Sequence, residues 1–436
     1  MRLSYDGPLS GPALAAALGV SPATVSRHLA NMQPTVLRVG QARATKYAAR
    51  RGIPPLPGVV PVYELGVSAT CKLGDLQAVQ PRGFHFSGSA ALDGFYPDLP
   101  WFLNDARPNG FLGRLAPRQH PHAQLPTNIL FWSGDHVLRY LHDFGVDIIG
   151  NLVVGDPAFS ACLAAALVNP VIASERERSY PELAAAAAAM GVPGSSAGGE
   201  QPKFLATRVE GGEPTCVLVK FSPPNDTPVG RRIGDLLRLE HLALGTVAAA
   251  GIPAAVSTLV EAGGRVFLEV ERFDRVGATG RRGLVSLATL DDEFVGSRES
   301  WTLTAERLGA QGRVTPAVVG AVRWLDRFGA WIANSDRHHG NLSCFLERGR
   351  VGGLAPVYDM LPMLYAPVHH EVPMRPFQPR LPDGRYPEIW RSCWRAALQF
   401  WQDASELDTI DPGLRAIAGE NAASILELRG VVARLG

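Results

Sequence analysis

The sequence predicts an α+β protein: a small winged helix-turn-helix at the N-terminus, then a larger two-lobed body of mixed strands and helices. Three observations predict it. Residues 1–51 carry Arg2, Arg27, Arg38, Arg43, Lys46, Arg50 and Arg51 against the single acid Asp6, in a chain whose net charge is only +1. Residues 52–61, Gly-Ile-Pro-Pro-Leu-Pro-Gly-Val-Val-Pro, form a stiff proline-rich linker. Beyond it, period-two and helical stretches precede a group of acid and amide side chains in the last third of the chain. With 436 residues, 46% apolar and 19% charged, two or three domains with buried cores are expected.

Ser10 can cap a helix over 11–18 that has Pro12 in its first turn and Leu14 and Leu18 on one face. Gly19 stops it. Ser21 caps a second helix that starts at Pro22 and carries Val25, Leu29 and Met32. Ala15, Gly19 and Val25 lie where a helix-turn-helix packs small or apolar residues. Thr24, Ser26, Arg27 and His28 take the outward positions of the second helix. Residues 36–47 alternate around a turn and suit a hairpin wing with Arg38, Arg43 and Lys46 as its cations. Such a helix would enter a major groove while the wing touches phosphates. The plainer alternative is a small helical domain with a solvated basic face. Basic excess and helix-turn-helix pattern coincide, which favours DNA.

After the linker, 62–88 alternate in strand fashion, 135–155 turn from helical to apolar, and Glu182–Met190 is an alanine-rich helix stopped by Gly191 and Pro193. Trp101, Phe102, Phe111, Phe131 and Trp132 are expected in a core rather than on a ligand platform. The body divides as 62–190, an N-terminal subdomain; 191–275, a lobe with a Gly-rich loop; and 276–436, a mostly helical lobe.

Gly194-Ser195-Ser196-Ala197-Gly198-Gly199-Glu200-Gln201-Pro202-Lys203 precedes a strand over 204–209. Its glycines let backbone N–H groups approach phosphate oxygens. The Gly-Lys-Ser/Thr ending of a Walker A loop is missing, so an unliganded turn is the alternative. A strand over 217–221 carries Lys220, and Glu240, in a helix over 233–250, is its candidate partner; a solvated lysine is the alternative. A strand over 266–270 then leads into Glu271-Arg272-Phe273-Asp274. That stretch is either a crossing between lobes, with adenine held near Glu271 and Phe273, or a surface strand end with an Arg–Asp pair.

Asn334-Ser335-Asp336-Arg337-His338-His339-Gly340-Asn341 is followed eighteen residues later by Asp359 in Pro356-Val357-Tyr358-Asp359-Met360. Asp336 and Asn341 have the Asp-x4-Asn spacing of a kinase catalytic loop, and Asp359 stands where a metal-binding acid follows it. An acid can orient an attacking hydroxyl, and oxygen donors can hold Mg²⁺ against nucleotide phosphates. A helix cap at 334–336 and a Mg²⁺-dependent nuclease draw on the same residues. A nuclease, however, needs neither Lys220 nor the hinge-like crossing. His338–His339 and His369–His370 lack a suitably spaced third ligand, so zinc is not expected, and His338 is expected to brace the loop.

Together these segments resemble the HipA family of bacterial serine/threonine kinases, the toxin members of HipA–HipB toxin–antitoxin modules, over about residues 60–430. Gly145-Val146-Asp147-Ile148-Ile149-Gly150 also resembles that family's Gly-x-Asp-x-x-Gly stretch. The resemblance implies a two-lobed, protein-kinase-like fold with ATP and Mg²⁺ as cofactors. Asp336 would serve the substrate hydroxyl, with His338 and Asn341 beside it, and Asn341 and Asp359 would hold Mg²⁺. Lys220, paired with Glu240, and the loop Ser196, Ala197, Gly198, Gly199 would meet the phosphates, while Glu271 and Phe273 would line the adenine site. Ser196, or its neighbour Ser195, matches the serine that relatives autophosphorylate. A phosphate there adds about −2 charge beside the nucleotide and disfavours ATP.

A protein substrate is implied too; among relatives it includes aminoacyl-tRNA synthetases, and persistence is the associated phenotype. Two-gene modules keep the DNA-binding antitoxin as a separate protein. Here the helix-turn-helix is fused to the chain, as in the single-chain branch called YjjJ or HipH. A separate antitoxin and a homodimer on palindromic DNA both stay open. The main alternative is a DNA-binding regulator whose kinase-like body only senses nucleotide.

Cys71, Cys162, Cys216, Cys344 and Cys393 are scattered and form no Cys-x2-Cys pair, which fits a reducing cytoplasm. The first residues lack a signal-peptide apolar core, and the apolar run 161–172 is broken by Asn169 and Pro170. A cytoplasmic protein without membrane contact is expected.

Overall fold

The computed structural model of the chain describes residues 2–32, 35–40, 44–164, 167–190, 201–368, 371–373, 375–381 and 384–435. They divide into two compact units. The first comprises Met1–Pro108, His120–Ala165 and Glu347–Arg350, and the second Asn109–Gln119, Ala166–Leu346 and Val351–Gly436.

The first unit opens with α1 (Arg2–Asp6), β1 (Leu9–Ser10), α2 (Gly11–Leu18), α3 (Pro22–Asn31), β2 (Val36–Val39) and β3 (Lys46–Ala49). The Ser10 and Ser21 side chains accept from Ala13 N and Thr24 N, a proline sits at each helix start, and Gly19 ends α2 at φ 66°. Leu3, Leu14, Ala15, Val25, Leu29 and Val36 form the core of this part, and the strands pair in the order β1-β3-β2. On the face that Leu14 and Leu18 share, Leu14 is buried and Leu18, in the last turn of α2, is 53% exposed. The elements α1 and β1, five and two residues long, are too short to show a period in sequence.

The rest of the first unit is an antiparallel sheet, order β7-β6-β5-β4-β8. It consists of β4 (Val60–Leu65), β5 (Thr70–Ala78), β6 (Phe84–Gly88), β7 (Gly94–Tyr96) and β8 (Leu152–Val154). Helices α5 (Gly134–Phe144) and α6 (Asp156–Ala164) accompany it; α4 (Gly110–Gln119) belongs to the second unit. Trp101, Phe102, Phe111 and Trp132 are buried as expected, but Phe131 is 75% exposed at the tip of a short turn.

The hairpin β2–β3 is joined to this sheet. Leu37 and Ala48 pack on Val79, flanked by Val39 and Phe95, and Gln80 N donates to Ala49 O at 2.8 Å. Arg51 forks onto Asp135 at 2.6 and 2.7 Å and donates to Val79 O at 3.0 Å. One face of the expected wing is therefore covered, and Arg51 is spent inside the unit.

In the second unit, β9 (Pro170–Ile172), β10 (Lys203–Glu210), β11 (Glu213–Phe221), β12 (Ser257–Ala262) and β13 (Arg265–Glu271) form one sheet in the order β12-β13-β11-β10-β9. On one face lies α7 (Arg176–Met190), whose Tyr180, Ala184 and Ala187 pack with Phe204, Val217, Val219, Phe221 and Phe267. The other face receives α8 (Pro228–Ala249), with Leu237 against Val266, Leu268 and Val270. Helix α7, expected with residues 62–190, thus closes this sheet instead, because its apolar stripe has its partners here.

The remaining elements are β14 (Arg275–Val276), β15 (Gly280–Arg281), β16 (Gly283–Ser286), α9 (Leu287–Phe294), α10 (Trp301–Ala310), α11 (Pro316–Trp331), β17 (Ser343–Glu347), β18 (Arg350–Leu354), α12 (Pro387–Glu406), α13 (Pro412–Glu427) and α14 (Arg429–Leu435). Trp301, Phe328, Trp331, Trp390 and Trp401 are fully buried among these helices.

Candidate functional site

Strand β11 alternates, so Val217, Val219 and Phe221 face α7 while Lys220 faces the side of α8. There Lys220 Nζ donates to both oxygens of Glu240, at 2.6 and 2.8 Å, and to Asp359 Oδ1. Lys220 and Glu240 are buried, and Asp359 is about a third exposed. Burial alone would depress the Lys220 ammonium, but the charges of Asp359 and Glu240 reverse this and hold it above its ordinary range. Burial would raise the Asp359 carboxyl; Lys220, with Lys203 behind it, brings it down to about 2. Asp359 has φ 54°, a left-handed backbone. Its N–H donates to Glu240 Oε1 at 3.2 Å, and its carbonyl accepts from Asn334 Nδ2 at 3.5 Å.

The loop carrying Asp336 begins where α11 stops. Ala333 takes φ 58° and Asn334 N donates back to Gly329 O at 2.8 Å, a left-handed helix stop. The Asn334 side chain then accepts from Asp336 N at 3.0 Å, so the helix-cap chemistry noted in sequence serves to shape the loop. Arg337 is tied to Asp326 of α11 at 3.2 Å. A side chain at Gly329 would meet Arg337 Cδ at 2.7 Å, so glycine leaves room for the Arg337 side chain to lie against α11.

Asp336 itself points out, with its carboxylate about half exposed and 4.0 Å from His338 Nε2. His338 braces the loop as expected: its Nδ1 accepts from Gly340 N at 3.1 Å, and its carbonyl accepts from Trp301 Nε1 at 3.0 Å. Asn341 Nδ2 donates to Asp336 O at 2.9 Å, which leaves its Oδ1 as an acceptor. Tyr358 OH donates to Gly340 O at 2.9 Å and so links the loop to the segment carrying Asp359. Asn341 Oδ1 and the Asp359 carboxylate are both oxygen donors, the donor type that Mg²⁺ takes. Among the described residues no group of three His, Cys, Asp or Glu side chains is arranged to hold a metal.

Glu271 and Phe273 line one cavity of about 260 Å³, together with Cys216, Ala255, Val256 and Pro356. Phe273 stacks on Tyr358 with ring centroids 5.9 Å apart. The carboxylate of Glu271 turns away: Glu271 pairs with Val217, whose side chain lies under α7, and Arg208 Nη2 donates to it at 2.8 Å. What Glu271 offers the cavity is backbone. Arg208 also bonds buried Glu269, which accepts from Tyr180 OH. Ser195, Ser196, Ala197, Gly198 and Gly199 lie outside the described residues, as do Arg43, His369 and His370.

In the N-terminal part, Ser26, Arg27, His28, Arg38 and Lys46 are exposed. Thr24 is only half exposed, with its hydroxyl 2.9 Å from that of Ser21, so it belongs to the cap rather than to a reading face.

A family model described as "YjjJ-like toxin, middle domain" matches residues 58–163, and one described as "HipA-like C-terminal domain" matches residues 195–406. The chain is 36% identical over its whole length to Toxin YjjJ of Escherichia coli (strain K12), 98% of which is covered. The chain belongs to the YjjJ-like toxins. The fold of this YjjJ-like chain is also that of a HipA from Shewanella oneidensis MR-1, solved with HipB and operator DNA. That match has a TM-score of 0.52 at 16% identity and covers 86% of this chain and 99% of the other. Among the described residues no helix of the YjjJ-like chain is long and apolar enough to cross a membrane.

Sequence reasoning missed the residues that support this site. Thr304 Oγ1 donates to Asp291 Oδ1 at 2.6 Å and lies 2.9 Å from Nε2 of buried His339; burial pushes His339 below its ordinary value, with Asp291 opposing. Arg208 and Tyr358 act similarly at the hinge. Thr304 and Asp291 lie outside the segments singled out in the sequence, Arg208 is in none of the motifs, and the bonds Thr304 to Asp291 and Arg208 to Glu271 span 13 and 63 residues.

Proposed function

We propose that the second unit is an ATP- and Mg²⁺-dependent serine/threonine protein kinase of HipA type, acting as a toxin. The single observation that carries this reading is the Lys220–Glu240–Asp359 cluster, which joins a strand, a helix and the acid that follows the Asp336 loop. In the proposed reaction Asp336 orients the substrate hydroxyl and accepts its proton. The oxygen forms a bond to the γ-phosphorus as the bond to the ADP leaving group breaks. Lys220, set by Glu240, steadies the α- and β-phosphates. Phe273 and the hinge backbone at Glu271 bound the adenine. Asn341 and Asp359 would hold Mg²⁺, which when bound neutralises charge on the phosphate oxygens. Ser196, or Ser195, is the proposed autophosphorylation site, and a translation-related protein such as an aminoacyl-tRNA synthetase is the proposed target.

The test is incubation with labelled ATP and Mg²⁺, followed by mass spectrometry of the chain. Label at Ser195 or Ser196 that vanishes in Asp336→Ala and Asp359→Ala supports the reading. No transfer and no nucleotide binding by the wild-type chain rejects it. Plasmid cleavage with Mg²⁺ in the absence of ATP would favour the nuclease instead.

A second role is favoured by the exposed cations Arg27, Arg38 and Lys46 on α3 and the hairpin. We propose that this part binds DNA as a winged helix-turn-helix. The Shewanella HipA was solved with operator DNA, which accords with this, and its HipB accords with an antitoxin partner. A homodimer would suit palindromic half-sites.

A further inference from the structure

The carboxylates of Glu269 and Glu271 share one face of β13. Strand β11 sets Val219 opposite Glu269 and Val217 opposite Glu271, and both valines lie under α7. Residues directly opposite in an antiparallel pair send their side chains to the same face. On the far side of β11, Arg208 of β10 stands opposite Thr215. Thr215 is two residues from Val217, so Arg208 lies on that face too. The three strands run side by side in the order β13-β11-β10. The Arg208 side chain therefore crosses over β11, and its fork ends on both acids: Nη1 donates to Glu269 Oε1, and Nη2 to Glu271 Oε1 at 2.8 Å. Helix α7 adds Tyr180, whose hydroxyl donates to Glu269 Oε2, and Arg176, whose Nη1 donates to the same oxygen at 3.4 Å.

The two acids use Arg208 differently. Glu269 is buried and has three donor residues, so Tyr180 and Arg176 still serve it when Arg208 is removed. The Glu271 side chain is 34% exposed, and an ion pair to so exposed a carboxylate adds little stability. Its consequence is geometric. Glu271 is the last residue of β13, and from there the backbone borders the cavity. Glu271 N donates to Val256 O at 2.8 Å and Arg272 N to Cys216 O at 2.9 Å, and Val256, Cys216, Glu271 and Phe273 all line that cavity. A carboxylate tied down behind the sheet fixes the turn of the strand end about its own axis. The direction in which residues 271–273 present backbone in front is fixed with it.

We propose that Arg208 is a positioning residue for the base-binding end of the cleft: by holding the Glu271 carboxylate behind the sheet, it sets the backbone that meets the purine ring of a nucleotide. The inference rests on the kinase reading of this cleft and adds to it a residue that never touches the ligand.

The experiment is equilibrium titration of the full chain with adenosine, ADP and ATP in the presence of Mg²⁺, alongside thermal melting. It compares wild type, Arg208→Met, Glu271→Ala and the double variant. Arg208→Met is expected to weaken all three ligands by one common factor, about three- to tenfold, because the disturbed contact is with the base that all three carry. Glu271→Ala should reproduce that factor with an unchanged melting temperature, and it carries the test should Arg208→Met fold poorly. The double variant should bind no more weakly than either single variant, since Arg208 acts through Glu271. Arg208→Lys, which keeps a cation on β10, should recover part of the affinity. Losses that grow with the number of phosphates, losses that add in the double variant, or affinities unchanged in both single variants overturn the role of Arg208 and leave the nucleotide site in place. A wild-type chain that binds none of the three ligands overturns the kinase reading itself.

Discussion

The first unit and the second each contain a long-range ion pair, and the two are built differently. In the first, Arg51 meets one carboxylate, Asp135, through two short bonds and completes its donors on the carbonyls of Val79 and Gly83. Each charge has one opposite charge, and the result joins the N-terminal hairpin to the neighbouring sheet. In the second, Lys220 meets two carboxylates at once, with another lysine directly across the ladder. Like charges are crowded where a structural pair would need only one of each. A balanced pair of this kind holds a joint. A crowded one keeps charge available for a ligand, and perturbed groups of that sort concentrate at functional sites.

Mutation should separate the two most sharply in phosphate transfer. Asp336→Ala is expected to lower transfer by about a hundred- to ten-thousandfold, the usual range for losing a positioned base. Its melting temperature should hold, because the carboxylate is half exposed and supports little of the fold. Arg51→Ala should leave transfer rates intact. A quench assay with labelled ATP measures both, and equal rates for Asp336→Ala and wild type would remove Asp336 from the chemistry.

Stability should order them next. Lys220→Met leaves Glu240, 1% exposed, without its cation, and breaking such a buried pair costs about 3–5 kcal/mol. The cost should grow as pH rises, since the stranded carboxyl must then be buried charged. Replacing Glu240 with Leu in the same chain should recover part of it. Arg51→Ala removes a partly exposed bidentate contact and should cost about 1.5–3 kcal/mol. Urea unfolding at two pH values checks the order, and a larger cost at Arg51 would reverse the distinction between joint and site.

Local chemistry made much of this legible in sequence, and tertiary chemistry hid the rest. Ser10, Gly19 and Ser21 act on neighbours one to four residues away, so the caps and the helix stop were readable. That Lys220 would meet Glu240 was readable, because a lysine near a strand end and an acid in the next helix lie only 20 residues apart. That Asp359 bonds Lys220 across 139 residues was not, nor was the turning of the Glu271 carboxylate onto Arg208. Those follow from strand register, which no single stretch records. The covered face of the hairpin has the same origin: Val39 and Leu37 look like wing residues until Val79 and Phe95 pack on them.

For the exposed cations of the N-terminal part the effect should be smaller and dependent on salt. Arg27→Ala with Arg38→Ala should weaken binding to DNA upstream of the chain's own coding sequence, and lower the salt slope by about 1 for each phosphate no longer neutralised. A gel shift across a salt series reads it. Because Arg51 is committed to Asp135, Arg51→Ala should leave that slope unchanged, and an equal fall in both variants would mean that the joint, not the exposed face, governs binding.

The smallest expected effect compares two buried histidines. His85 and His339 are both 5% exposed. His339 has Thr304 at 2.9 Å and Asp291 behind it. Among the described residues neither ring nitrogen of His85 has a hydrogen-bond partner, and Asp93 is 3.9 Å away. Burial pushes both pKa values below 6.5, and in each a carboxylate opposes the shift. A depressed histidine is neutral in the fold and takes up a proton on unfolding. The stability it contributes is therefore full above about pH 6.5 and falls as the pH drops toward the folded value. Because His85 has no hydrogen bond to retain, His85→Leu should flatten the acid-side loss of stability of the first unit without weakening it at pH 7.5. His339→Leu removes the Thr304 contact, so it should weaken the second unit at every pH. Urea midpoints at pH 7.5 and 5.5 test the pair. An acid-side slope unchanged in His85→Leu would show that this histidine is not buried neutral, and that the joint beside it tolerates charge as readily as the Lys220 cluster does.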